Sequence, residues 1–287
     1  LTSSLQSFAL QSADLLRSEI EVTQSIQDLK NSVGLVAGKP TTVRLYAFNN
    51  GPGTVARVQG YVSGTLNGQA LAEIRCFNTT TAEPANTPQL YNARQDAVRT
   101  PICQLPATWF RSPGTLVITG RVESGQINES SAQLQNNRKS VSVTIAPSLT
   151  LKVELVPIRT NCTNNCTKAH GPSDAEMFGA LQLVRTMYPA SRIEAFISKG
   201  WLKWDPKVRT GDVPNSLFRN YLLPQTKGQK VPERLSDVIR LGIIPNDVYE
   251  PRFGNGWCNG YMKVGYVYVV PSSYHETAGH ELGHCLG

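Results

Sequence analysis

The sequence predicts two domains, an all-β sandwich followed by an α/β domain. Three observations predict this. The chain has 287 residues, more than one ordinary domain. From about residue 33 to 147 apolar side chains recur with a period near two, and Gly, Pro and Asn clusters punctuate them. From residue 148 onward, strand-like runs alternate with stretches of helical spacing. The expected division is an N-terminal segment over 1–32, a β-sandwich over 33–147 and a second domain over 148–287.

Residues 1–18 mix Leu, Phe and Ala with Ser and Gln, which suits a short helix or an adaptable terminal segment. Residues 19–30 open with alternation and read as a strand. Thr41 to Phe48 is a clear strand, closed by the turn cluster Asn49-Asn50-Gly51-Pro52-Gly53. Val55 to Val62 is the next, and Asn67-Gly68 marks a hairpin into Ala70 to Arg75, because both residues tolerate the left-handed backbone such a turn needs. A Thr-, Pro- and Asn-rich excursion covers 77–107. Gly114 to Glu123 and Lys139 to Ile145 are further strands. Repeated short strands with turn signals indicate a sandwich. This stretch resembles bacterial Ig-like, cell-adhesion-type modules, above all through Tyr46-Ala47-Phe48-Asn49-Asn50-Gly51-Pro52. Such a module serves as a spacer or binding platform, and its fold alone does not give a function.

Pro147 opens the second domain. Leu149 to Pro157 alternates as a strand. Ser173 and Glu176 form a capping box ahead of a helix over Met177 to Met187. Arg192 to Ile197 reads as strand or helix, 205–232 is Pro-rich and irregular, and Arg234 to Arg240 is again strand or helix. Tyr261 to Val270 is a strand rich in Val and Tyr. Ser273 and Glu276 form a second capping box, so a helix should begin near Tyr274.

The net charge of +7 is spread through both halves, without a basic arm. The densest basic stretch, Lys199 to Arg209, reads as a solvated segment with packing tryptophans at Trp201 and Trp204, so nucleic acid is not an expected partner. No apolar run is long enough to span a membrane. Six cysteines point to an oxidising compartment, hence secretion or the cell surface. Cys76 and Cys103 bracket the irregular excursion and could staple it, Cys162 and Cys166 suit a local loop, and Cys258 and Cys285 would remain. Six cysteines allow 15 connectivities. A zinc clip at Cys162 and Cys166 is the alternative for that pair.

The sharpest motif is His280-Glu281-Leu282-Gly283-His284, followed by Gly287. On a helix, residues four apart share a face, so His280 and His284 can hold one metal ion while Glu281 lies beside them. Other candidate ligands are weaker: His275 falls off that face, His170 follows the Cys-rich loop, and Asp247 and Glu250 are loop carboxylates.

These residues resemble the metzincin clan of zinc metallopeptidases, whose longer pattern places a third His three residues after the Gly. Leu241-Gly242-Ile243-Ile244-Pro245, the glycines 254, 256 and 260, a strand and then the helix are similar to secreted bacterial members. The resemblance implies an α/β zincin domain, of which this chain would hold the amino-terminal half. It also implies zinc as cofactor on His280 and His284, with the third ligand beyond Gly287. Glu281 would be the general base for a zinc-bound water, acting on a protein or peptide substrate. The competing expectation is an extracellular adhesive or fibre-forming protein that self-associates and carries an inactive or truncated peptidase-like domain.

Overall fold

The computed structural model describes residues 13–85, 87–160, 171–199, 202–204, 238–244, 254–259, 262–268 and 274–283. The chain divides into two compact units, Leu1–Ser148 and Leu149–Gly287.

The first unit contains strands β1 (Leu15–Thr23), β2 (Leu35–Val36), β3 (Thr42–Asn49), β4 (Val55–Leu66), β5 (Gln69–Ala82), β6 (Ile102–Gln104), β7 (Gly114–Glu123) and β8 (Arg138–Ala146). Helix α1 (Thr87–Gln95) lies between β5 and β6, and the one-turn helix α2 (Gln133–Asn136) precedes β8. The strands form a three-stranded sheet, β1-β3-β6, and a five-stranded sheet, β2-β8-β7-β4-β5. Among the described strands every pairing is antiparallel except β2 with β8. Alternation follows the pleat: Leu116, Ile118 and Val122 of β7 point into the core with Val143 and Ile145 of β8, and Ile20, Val22, Val43 and Leu45 meet them. Strand β1 therefore belongs to this sandwich, and it begins inside the stretch set apart by sequence as an N-terminal segment.

Strand β3 is buried on both faces. Val43, Leu45 and Ala47 enter the main core, while Tyr46 and Phe48 pack on the other side against Ala93 and Leu90 of α1 and against Leu29. The excursion read from sequence as irregular is thus ordered: β5 runs on to Ala82, and α1, a 3₁₀ turn at Ala97–Arg99 and β6 follow.

The expected Cys76–Cys103 disulfide is present, with Cα atoms 4.2 Å apart. Cys76 lies on edge strand β5 of one sheet and Cys103 on edge strand β6 of the other, so the bond ties the sheets together at one corner. Two glycines let this corner close. A Cβ on Gly60 would stand 2.7 Å from Pro101 Cβ, 2.8 Å from Cys76 Sγ and 2.9 Å from Leu45 Cδ1. A Cβ on Gly120 would stand 2.5 Å from Leu45 Cδ2. The fully buried Leu45 fills the space both glycines leave. The hairpin turn expected at Asn67-Gly68 is also formed, with φ of 51° and 83°.

Side-chain amides complete the strand edges. The Val22 amide donates to Asn31 Oδ1, and Asn31 Nδ2 donates to the Ile20 carbonyl, both at 2.7 Å. Gln27 Nε2 donates to the Val22 carbonyl at 2.9 Å. Asn78 Oδ1 accepts from the Ile102 amide at 2.7 Å while its Nδ2 donates to the Thr100 carbonyl at 2.9 Å. Each amide takes the place of a peptide unit on a neighbouring strand and blocks edge-to-edge pairing there.

The second unit contains β9 (Leu149–Thr160), β10 (Ala190–Ile197), β11 (Leu202–Trp204), β12 (Val238–Ile244), β13 (Gly254–Asn259) and β14 (Met262–Tyr268), with helices α3 (Asp174–Gly179), α4 (Val184–Met187) and α5 (Tyr274–Gly283). Its sheet runs β10-β9-β12-β14-β13, with β11 pairing the far end of β9. Among the described residues, only β13 and β14 pair antiparallel. Of the two ambiguous stretches, Arg192–Ile197 is strand, and the described end of the second, from Val238, is strand as well, while 234–237 lie outside the described residues. The Ser173–Glu176 capping box is present, with both reciprocal bonds.

The expectation of an α/β zincin domain requires correction. Strands dominate the described residues of both units, and the long helix expected from Met177 to Met187 is two short pieces. The α-helix ends at Gly179, turns closed by bonds such as Leu181 N–H to the Phe178 carbonyl and Gln182 N–H to the Gly179 carbonyl follow, and α-helix resumes at Val184. Helical spacing of apolar residues persisted across this break because turns on both sides of it bury Met177, Ala180, Leu181 and Val184 in one core. The Pro-rich stretch 205–232 lies outside the described residues.

Replacing both Cys76 and Cys103 with Ser should lower the unfolding free energy by about 3.5 kcal/mol, the loop-closure value for a ring of this size. Urea unfolding of the double variant beside the oxidised wild type measures it.

Candidate functional site

Helix α5 carries the motif singled out by sequence. Ala278 and Leu282, four residues apart, are fully buried in the core of the second unit with Met177, Val184, Ile239 and Leu241. The Tyr188 hydroxyl donates to the Gly279 carbonyl, and burial pushes the Tyr188 phenol above its ordinary pKa. A Cβ at Gly279 would meet Met187 Sδ at 2.7 Å, so glycine sets the spacing of α5 from α4. His280 and Glu276 are exposed, and His280 lies about 200° around the helix from Ala278. The same packing that anchors Ala278 therefore turns His280 outward.

Of the three residues predicted to perform the chemistry, only the His280 side chain is described. Glu281 is on α5 but its side chain lies outside the described residues, as does all of His284. The side chains of His275 and Cys258 also lie outside them, as do His170, Asp247, Glu250, Cys162, Cys166 and Cys285. Among the described residues no three His, Cys, Asp or Glu side chains come together to hold a metal. The described donor set does not assemble a zinc site.

The first unit holds a polar constellation that the motif search missed. Glu21 of β1 sits opposite Arg44 of β3 and is nearly buried. Its Oε2 accepts from the Tyr46 hydroxyl at 2.5 Å and lies 3.7 Å from Arg44 Nη1. Arg94 of α1 approaches the other carboxylate oxygen at 3.7 Å. Arg44 in turn donates to the carbonyls of Ala93 at 2.8 Å and Arg94 at 3.0 Å. These bonds fasten α1 to the outer face of β3. Burial, and then the bond to Glu21, drive the Tyr46 phenol far above its usual pKa. The available signal was period two: Arg44 and Tyr46 share one strand face, and Glu19 and Glu21 alternate with Ile20 and Val22.

Three large apolar side chains are mostly exposed within the span closed by the disulfide. Phe77 is 71% exposed, Tyr91 64% and Val98 72%.

No family model and no curated protein matches this chain. Among solved structures, it is similar to the crystal structure of the CARDB domain of the PF1109 protein from Pyrococcus furiosus, described as in complex with di-metal ions. That match is 13% identical, covers 51% of this chain and 99% of that one, and has a TM-score of 0.28. The solution structure of the same domain is 17% identical, covers 47% and 95%, and has a TM-score of 0.24.

The metzincin reading, with its protease and metalloprotease roles, is overturned. No metal-holding group forms among the described residues, and the strand-dominated second unit with its broken helix departs from the zincin domain that the resemblance implied. The chain is therefore not assigned as a zinc peptidase. His-Glu-x-x-His needs only a helix, and α5 supplies one as far as Gly283, with the Glu281 side chain and His284 outside the described residues.

The Tyr46→Phe variant should lose about 2 kcal/mol of stability, since it strips a nearly buried carboxylate of a hydrogen bond. The pH dependence has a definite sign. With the folded pKa raised, the contribution of Tyr46 is full below the unfolded phenol value of about 10 and declines as pH rises beyond it. Unfolding curves from neutral pH to alkali should show a steeper alkaline loss for wild type than for Tyr46→Phe.

Proposed function

We propose that this chain is an extracellular structural or adhesive protein whose first unit is a disulfide-tied β-sandwich platform. The observation that carries the reading is the stapled span from Cys76 to Cys103. It is held firmly at both ends, yet it presents Phe77, Tyr91 and Val98 to solvent. Exposed apolar side chains on a rigid support suit contact with another protein surface, because little conformational entropy remains to be lost on binding. Secretion is part of the proposal: a buried disulfide persists in an oxidising compartment. No helix among the described residues is long and apolar enough to cross a membrane.

The partner on this reading is protein, with a second copy of the chain the first to test. Beads coated with the full chain should cluster, and a Phe77→Ser, Tyr91→Ser, Val98→Ser triple variant should cluster at least several-fold less. Equal clustering by a correctly folded triple variant contradicts the reading, as does a failure of the wild type to cluster.

His280 and His284 enter only as a two-histidine face for a metal such as zinc, with no catalytic role attached to Glu281. A zinc-selective chelator should therefore leave bead clustering unchanged. Metal content of the purified wild type and of His280→Ala shows whether zinc is carried there.

A further inference from the structure

The chain has three methionines, and the second unit uses the described ones differently. Met177 on α3 is 1% exposed and belongs to the core of that unit. Met187, the last residue of α4, is 40% exposed. The side chain of Met262, at the start of β14, lies outside the described residues. A thioether is a soft, electron-rich group that peroxides oxidise when they can reach it, and core packing denies them that access at Met177.

The partly exposed Met187 is also a packing contact. Its Sδ lies 2.7 Å, and its Cε 3.3 Å, from the point where a Cβ on Gly279 would stand. The thioether therefore fills the space that a side chain at Gly279 would need, and it rests on the backbone of α5. The next residue, Tyr188, donates its hydroxyl to the Gly279 carbonyl. Two consecutive residues at the end of α4 thus grip one glycine of α5, the first by apolar contact and the second by a hydrogen bond. Ala278, beside that glycine, and Leu282, one turn further on, are fully buried, so the grip sits where α5 enters the core.

We propose that Met187 is a modification site for peroxide, and that its conversion to the sulfoxide unseats α5 from α4. In the step, a sulfur lone pair attacks one oxygen of hydrogen peroxide and the O–O bond breaks as the S–O bond forms. The departing hydroxide takes the proton from the transferred oxygen and leaves as water. Sulfur loses two electrons and the peroxide gains them. The product is a polar group one atom larger than the thioether it replaces. Turned toward α5, the new oxygen meets a helix interior whose amides are already bonded along the helix. Turned toward water, it draws the side chain off Gly279. Both arrangements weaken the grip. The site does not rest on the adhesive reading and needs no metal at His280 or His284.

The test exposes the full chain to hydrogen peroxide and follows the sulfoxide at each methionine by mass spectrometry of its peptides. Amide hydrogen exchange is read on the same samples. Met187 should oxidise at least tenfold faster than Met177. Once it has, the amides of α5 should exchange at least several-fold faster, while those of β3 and β7 in the first unit stay as they were. Treatment with methionine sulfoxide reductases should restore the original exchange. In Met187→Leu, which keeps an apolar contact without the sulfur, peroxide should leave α5 unchanged. Oxidation of Met187 no faster than that of Met177 overturns the proposal, as does full oxidation of Met187 with unaltered exchange in α5. A folded Met187→Leu variant whose α5 still responds to peroxide overturns it equally, and places the effect on another side chain such as Met262.

Discussion

Two β-sheets share one core only if something holds their edges in register, and here that constraint is met at the corner around Leu45. Its side chain enters between Gly60 and Gly120, where any Cβ would collide with it, and the Cys76–Cys103 bond lies against Gly60. The bond joins the edge of the five-stranded sheet to the edge of the three-stranded sheet. Everything that sits on β5, α1 and β6 depends on that closure. The covalent tie keeps the span between the cysteines short of freedom, the Glu21–Arg44–Arg94 contacts fasten α1, and the exposed apolar side chains ride on this support.

The edges follow a second constraint. A sandwich of three and five strands has four edges, and their unpaired backbone groups invite uncontrolled association. Asn31, Gln27 and Asn78 supply side-chain amides where a further strand would otherwise add its peptide groups. Association by added strands is thereby discouraged along the protected stretches, where surface contact falls to side chains. Asn31, Asn49, Asn67 and Asn78 each use both the oxygen and the nitrogen of the side-chain amide.

The sandwich was legible because its strands are half-buried. Gly114 to Glu123 alternates in sequence as it does in burial, and the left-handed preference of Asn67-Gly68 fixed a hairpin. The Cys76–Cys103 pair could be inferred because the two cysteines bracket one excursion. Helix α1 was hidden by its Thr, Pro and Asn content, since it is stabilised by Tyr46, Phe48 and Arg44 on a distant strand rather than by its own propensity. The break between α3 and α4 was hidden for the opposite reason, because one buried surface imposes helical spacing on both pieces. The zinc motif was legible as a pattern and misleading as a function. Its evidence was local, whereas a metal site is a convergence of distant residues, and no such convergence occurs among the described ones.

The account turns on which cysteine holds Cys76. Proteolytic mapping of the non-reduced protein by mass spectrometry reads this directly. A cross-linked peptide pair containing Cys76 and Cys103 is the predicted result. Cys76 free, or joined to any of Cys162, Cys166, Cys258 or Cys285, would contradict the closure of the sandwich from which the rest is built.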